Sequence, residues 1–142
     1  MATAESCTGG LVAAACTSVA GSSDWFERGF VTYSNEAKVQ MLGVDARLIE
    51  RHGAVSEEVV RAMLAGALVQ APVQLAVAVT GIAGPTGAVP GKPVGTVWLA
   101  WGTAERTMVQ RLQLGGDRAA VRAASVRAAL GHLLDLLDAA RS

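Results

Sequence analysis

Ser6, Cys7 and Thr8 stand directly ahead of Gly9 and Gly10, and an apolar, alanine-rich stretch follows them. Backbone N–H groups in the first turn of a helix have no intrahelical acceptor. Such a turn can therefore hold an anion, either a phosphate or the oxyanion formed when a nucleophile attacks a carbonyl. Ser6 fits two uses here, as a helix cap or as the nucleophile itself, and spacing alone does not separate them. Thr8 is a second capping hydroxyl, and Gly9 and Gly10 let a ligand approach the backbone closely. Cys7 is a rival nucleophile, because a nearby cation or helix start lowers a thiol pKa.

The segment Tyr33-Ser34-Asn35-Glu36-Ala37-Lys38 places a phenol at the end of a strand-like run and an amine one helical turn later. A lysine with a lowered pKa can take a serine proton, so a Ser-Lys pair is an alternative to Ser-His-Asp. A solvated lysine beside a helix cap explains the same residues. The two histidines make poor bases: His52 lies in a helix-ending Arg-His-Gly, and His132 sits among leucines. A third constellation, Thr80-Gly81-Ile82-Ala83-Gly84-Pro85-Thr86-Gly87, follows an apolar run. Gly81 and Gly84 can bring backbone N–H groups to a ligand there. It has neither the Gly-Lys-Ser/Thr of a phosphate-binding P-loop nor the Gly-x-Gly-x-x-Gly of dinucleotide folds. Arg118 and Arg122, one turn apart after Gly115-Gly116-Asp117, can present guanidinium groups to a phosphate or simply form a solvated helix face.

The elements that must position these residues alternate along the chain. Gly9 to Ala20 reads as a buried helix closed by Gly21, and Gly29 to Ser34 as a strand. Asn35 and Asp45 are expected caps of two short helices ending at Gly43 and before Gly53, and Ser56 opens a longer one that stops before Pro72. Gln74 to Thr80 is almost continuously apolar, as a central strand covered on both faces should be. The stretch from Gly81 to Pro93 carries four glycines and three of the four prolines, which makes it a loop. Gly95 to Trp101 and Arg106 to Leu114 form a hairpin, and Asp117 caps a last helix. The expected fold is α/β: a three-layer α/β/α sandwich around a mostly parallel sheet of about five strands with one antiparallel strand.

Composition narrows the function. The 142 residues are 51% hydrophobic, enough for one core and one domain spanning 1–142. Twelve Lys and Arg balance twelve Asp and Glu, so no net field draws the chain to nucleic acid or an anionic membrane. Two cysteines are too few for a structural zinc site, and no metal or cofactor is expected. No leader-like or membrane-spanning stretch is evident, which points to the cytoplasm.

Five motifs, Thr3 to Gly10, Tyr33 to Lys38, His52 to Ser56, Ala78 to Pro85 and Lys92 to Val97, together resemble the CinA carboxy-terminal domain family. The resemblance implies a nicotinamide mononucleotide deamidase of pyridine nucleotide recycling, yielding nicotinic acid mononucleotide and ammonia without a metal. It implies Ser6 as nucleophile, Tyr33, Lys38 and Thr80 as active-site residues, and Arg118 or Arg122 as the arginine near the last helix start. Members usually carry a further helix and most of a first strand ahead of the first motif, so a truncated strand beside Ser6 and an uncovered apolar face are expected. Exposed apolar strands then suggest a homo-oligomer. The family's association with competence and DNA damage suggests the alternative of a non-catalytic nucleotide-binding or protein-interaction module.

Overall fold

The computed structural model describes residues 1–142. Five strands, β1 (Ala2–Glu5), β2 (Arg28–Val31), β3 (Ala76–Gly81), β4 (Thr96–Gly102) and β5 (Thr107–Gln113), form one sheet in the order β2-β1-β3-β4-β5. β1 pairs in parallel with β2 and β3, whereas β4 is antiparallel to both β3 and β5. The apolar run of β3 is central, as its composition requires, and β4 is the single reversed strand. Five helices complete the fold: α1 (Leu11–Thr17), α2 (Asn35–Leu42), α3 (Ala46–His52), α4 (Glu57–Gln70) and α5 (Arg118–Arg141).

Strand alternation sorts the core into two unlike halves. Ala2, Ala4, Ala76, Ala78 and Ala100 point to one face and pack against Val59, Val60, Met63, Leu64 and Ala67 of α4, together with Leu42 and Ile49. Val77, Val79, Val97, Leu99 and Trp101 point to the other, under Val12 of α1 and Val121, Ala129 and Leu133 of α5. Small side chains on the first face let α4 lie close to the sheet. Gly66 of α4 extends this closeness to α2: a Cβ there would stand 2.0 Å from the Leu42 carbonyl oxygen.

Several helix starts follow their capping residues. Asp45, Ser56 and Asp117 each accept a backbone N–H at the start of the helix they precede. Two local expectations need correction. The cap of α2 is Ser34 rather than Asn35, its hydroxyl accepting from Ala37 N–H at 3.0 Å. Helix α1 covers seven residues rather than Gly9 to Ala20, with only Val12 and Cys16 buried, because Gly10 takes a left-handed φ of 105° and a 3-10 turn at Ser22–Asp24 follows the helix. At the amino ends of the strands a groove of about 450 Å³ is lined by Met1, Trp25, Phe26, Pro72, Leu75 and Leu137 among others. No helix is long and apolar enough to cross a membrane.

The α2–α4 contact carries Lys38 and generates a test. Gly66→Ala should destabilise the fold by about 1–3 kcal/mol, because the new methyl group meets a backbone carbonyl that cannot rotate away. Chemical denaturation of parent and variant measures the difference, and an unchanged midpoint contradicts the packing account.

Candidate active site

The carboxyl ends of β1, β2 and β3 lie side by side, the edge at which open α/β sheets bind ligands. Ser6 follows β1 directly, Thr80 is the penultimate residue of β3, and Lys38 lies one turn into α2 after β2. A cleft of about 300 Å³ at this edge is lined by Ser6, Cys7, Tyr33, Asn35, Lys38, Thr80, Gly81, Gly84 and Arg118, with residues of the glycine loop. Gly81 leaves room for the nucleophile turn, since a Cβ there would sit 3.1 Å from Cys7 Sγ as well as 2.7 Å from Val97 Cγ2 of β4.

Lys38 is 1% exposed. Its Nζ donates to the carbonyl oxygens of Thr32 at 2.9 Å and Tyr33 at 3.2 Å, and lies 3.0 Å from Ser6 Oγ. Two carbonyls occupy two N–H directions of a tetrahedral amine. In the neutral form the remaining lone pair is free to meet the serine hydroxyl. No carboxylate pairs with Lys38, and burial lowers its pKa from the ordinary lysine value. Thr32 makes this possible: its N–H donates to the Glu5 carbonyl at 2.8 Å, extending the sheet so that its own carbonyl faces the amine.

Cys7 has the opposite electrostatics. Burial pushes its thiol up to about 11, outweighing its own backbone N–H and the Arg122 charge, so the thiolate is disfavoured at neutral pH. Ser6, with the amine at hydrogen-bond distance, is the group equipped to attack.

Other expected residues surround this pair without touching it. Tyr33 meets Lys38 only through its main-chain carbonyl; its side chain is 62% exposed, and its hydroxyl accepts from Arg118 Nη2 at 3.2 Å. Arg118 Nη1 also donates to the Gly84 carbonyl at 2.9 Å, so this arginine stands at the cleft mouth. Arg122 turns inward, donating from Nε to the Cys7 carbonyl at 3.1 Å and from Nη2 to the Thr8 carbonyl at 3.4 Å. The Thr80 hydroxyl donates to the Ala54 carbonyl at 2.9 Å.

The turn after Ser6 is equally selective. Thr8, Gly9 and Gly10 are not brought into the cleft lining. Gly9 N–H donates to the Ser6 carbonyl at 3.0 Å, and the Thr8 hydroxyl and Gly10 N–H donate to the Glu5 carboxylate at 2.6 and 3.2 Å. Ser6 N–H is held by the Val79 carbonyl at 3.0 Å. The N–H groups of Cys7 and Thr8 make no hydrogen bond to another residue, and neither do those of Ala83, Gly84, Thr86 and Gly87 in the glycine loop. Sequence reasoning missed Glu5 and Thr32. A charged residue between an apolar strand and a glycine turn was the available signal for Glu5; nothing in the sequence marks a carbonyl as a lysine ligand. His52 and His132 lie elsewhere, His52 beside Glu58 at 3.6 Å and His132 stacked on Trp101 at 3.9 Å. No three His, Cys, Asp or Glu side chains gather into a metal-binding group.

Comparison with known proteins places this geometry in a family. The chain is 58% identical over 134 residues to the nicotinamide-nucleotide amidohydrolase PncC of Pseudomonas putida, covering 94% of this chain and 84% of that protein. It is 56% identical over 132 residues to the protein of the same name from Escherichia coli K12, covering 92% and 80%. A solved structure from Klebsiella pneumoniae, described as competence damage-inducible protein A (ComA), superposes with a TM-score of 0.93 at 44% identity, covering 96% of this chain and 85% of that one. Residues 1–137 match the CinA C-terminal domain, and the chain belongs to that family.

Proposed function

We propose that this chain is an amidohydrolase that converts nicotinamide mononucleotide to nicotinic acid mononucleotide and ammonia, with Ser6 as nucleophile and Lys38 as its base. The observation that carries the reading is the desolvated Lys38 amine 3.0 Å from Ser6 Oγ with no carboxylate partner. Burying an amine with no carboxylate partner costs stability, and groups perturbed in this way cluster where catalysis needs them, which favours an enzyme over a non-catalytic binding module. The names of the relatives support an amide of a nicotinamide nucleotide as substrate.

Ser6 Oγ attacks the carboxamide carbon while its proton passes to Lys38 Nζ. The carbonyl π electrons move onto oxygen, where the Cys7 N–H is the turn's available donor on the cleft. Collapse of the tetrahedral adduct breaks the C–N bond, and Lys38 returns the proton to the departing nitrogen, which leaves as ammonia. Water then attacks the ester carbon, losing a proton to Lys38; the second adduct collapses with cleavage of the C–Oγ bond, Lys38 returns that proton to Ser6 Oγ, and the carboxylic acid is released. Tyr33 and Thr80 shape the cleft around these steps. The proposal places the reaction in the cytoplasm and in a homo-oligomer, the latter supported by exposed Leu11, Val19, Trp25 and Val31.

The mechanism separates Ser6 from Cys7. Ser6→Ala should remove ammonia release from the mononucleotide, while Cys7→Ser should keep it within about tenfold of the parent, given the modest cost of a buried thiol-to-hydroxyl change. An active Ser6→Ala variant, or an inactive but folded Cys7→Ser variant, overturns the assignment.

The base must be neutral to act. The parent's rate should therefore rise with pH through the lowered Lys38 pKa and level off above it, and Lys38→Met should lose about 10²–10⁴-fold in kcat. A pH-independent rate from mildly acid to alkaline solution contradicts the lysine base.

The two arginines should also divide. Arg118, at the cleft mouth, is placed to hold the substrate phosphate alongside the free N–H groups of the glycine loop. Arg118→Ala should raise KM by about one to two powers of ten with little change in kcat, and should narrow the preference for the mononucleotide over its riboside. Arg122→Ala should instead lower kcat, because its guanidinium holds the carbonyls of the nucleophile turn. Kinetics of both variants on both substrates decide between these patterns.

A further inference from the structure

The Glu5 carboxylate is wholly buried at the end of β1, directly before the nucleophile, and reaches across to the start of α1. Its Oε1 accepts from Thr8 Oγ at 2.6 Å, Val12 N at 2.8 Å and Gly10 N at 3.2 Å; its Oε2 accepts from Ala13 N at 3.0 Å and lies 3.5 Å from Thr3 Oγ. A neutral serine or threonine cap satisfies one or two donors at a helix start. Here one carboxylate takes up the Gly10, Val12 and Ala13 N–H groups from outside the helix, while Leu11 N–H donates to the Thr8 carbonyl, and α1 has no side-chain cap of its own.

The consequence lies in what remains. Between Ser6 and Ala13 every backbone N–H donates to another residue except those of Cys7 and Thr8, the former facing only its own thiol. Of the two, Cys7 lines the cleft directly after the nucleophile, where an oxyanion on the attacked carbon needs a fixed donor. The negative charge of Glu5 is also engaged by the helix start, and it forms no ion pair with Lys38. Lys38 therefore keeps the environment that favours its neutral form.

We propose that Glu5 is a positioning residue of the reaction: it fixes the turn from Ser6 to Gly10 so that the Cys7 N–H, at the cleft beside Ser6, serves the oxyanion site, and it does so without altering the Lys38 base. The inference rests on the amidohydrolase reading. Replacing one carboxylate oxygen by an amide NH2 in Glu5→Gln sets donor against donor at one side of the network, which must rotate the turn.

Glu5→Gln and Thr8→Val in the full chain test it, with thermal melting as the folding control. Two readouts are compared: ammonia release from nicotinamide mononucleotide, and the rate at which a fluorophosphonate labels Ser6, which needs the base and the oxyanion site but no substrate amide. Glu5→Gln should lower kcat by about 10- to 100-fold with KM nearly unchanged, slow labelling in parallel, and leave the pH midpoint of the rate where it is in the parent. Thr8→Val, which removes only the 2.6 Å hydrogen bond, should show a smaller loss of the same kind. Folded variants with parental kcat and labelling rates, a loss confined to KM, or a displaced pH midpoint would each overturn the proposal. If Glu5→Gln does not fold, Thr8→Val decides alone, and parental behaviour there overturns it. A parent that labels at Ser6 but releases no ammonia refutes the substrate reading, while the labelling rates still decide the role of Glu5.

Discussion

An amine held away from water with no negative partner is the constraint around which the structure is arranged. Left exposed, Lys38 would be fully protonated at neutral pH and could not accept a proton from a serine. Paired with a carboxylate, it would be protonated more firmly still. The fold avoids both outcomes by surrounding Nζ with main-chain carbonyls and one hydroxyl. Carbonyl dipoles satisfy the N–H bonds of the neutral amine and fix its direction, while giving less support to a charge than a carboxylate would.

That arrangement explains why distant packing matters. The carbonyls of Thr32 and Tyr33 come from the chain just past β2, and Nζ comes from α2, so the two must be set against each other closely. β1 sets the first through the Glu5 carbonyl that holds Thr32, and α4 sets the second through the contact of Gly66 with the end of α2. The alanine face of the sheet lets α4 approach closely enough to do this. Site and core are thus joined through a few contacts at which an added methyl group has nowhere to go.

Much of the architecture was legible because it depends on local chemistry. Ser56, Asp45 and Asp117 cap helices as short polar side chains do, the apolar run of β3 requires cover on both faces, and the loop richest in glycine and proline separates β3 from β4. The site was legible only where residue type and turn coincided. Ser6 before two glycines is a readable nucleophile, but Lys38 on an eight-residue helix looks like any solvated lysine, and its burial is made by other elements. Arg118 and Arg122 share a helix face one turn apart, so only the surrounding carbonyls distinguish an arginine facing the cleft from one bracing the turn beneath it. The end of α1 is not marked in the sequence because no glycine or proline interrupts Thr17 to Ala20, whereas the helix stops at Thr17 and the chain turns on through Gly21 into a 3-10 turn.

The reversal of β4 has a wider consequence. Because β4 runs back along β3, with Gly81 opposite Val97, the segment between them leaves and re-enters the sheet at neighbouring positions. Its closure is a local matter, and the entropy of closing such a loop changes only slowly with length. The exposed tip of this segment, residues 85–90, can therefore change in length or sequence without altering the register of β3 and β4, whereas Ile82 and Gly95 extend their pairing and Ala83 belongs to the core. The fold thus separates a reaction centre fixed by the sheet from an exposed loop tip, with Thr86 and Gly87 on the cleft, where what the site admits can be altered without moving the groups that react.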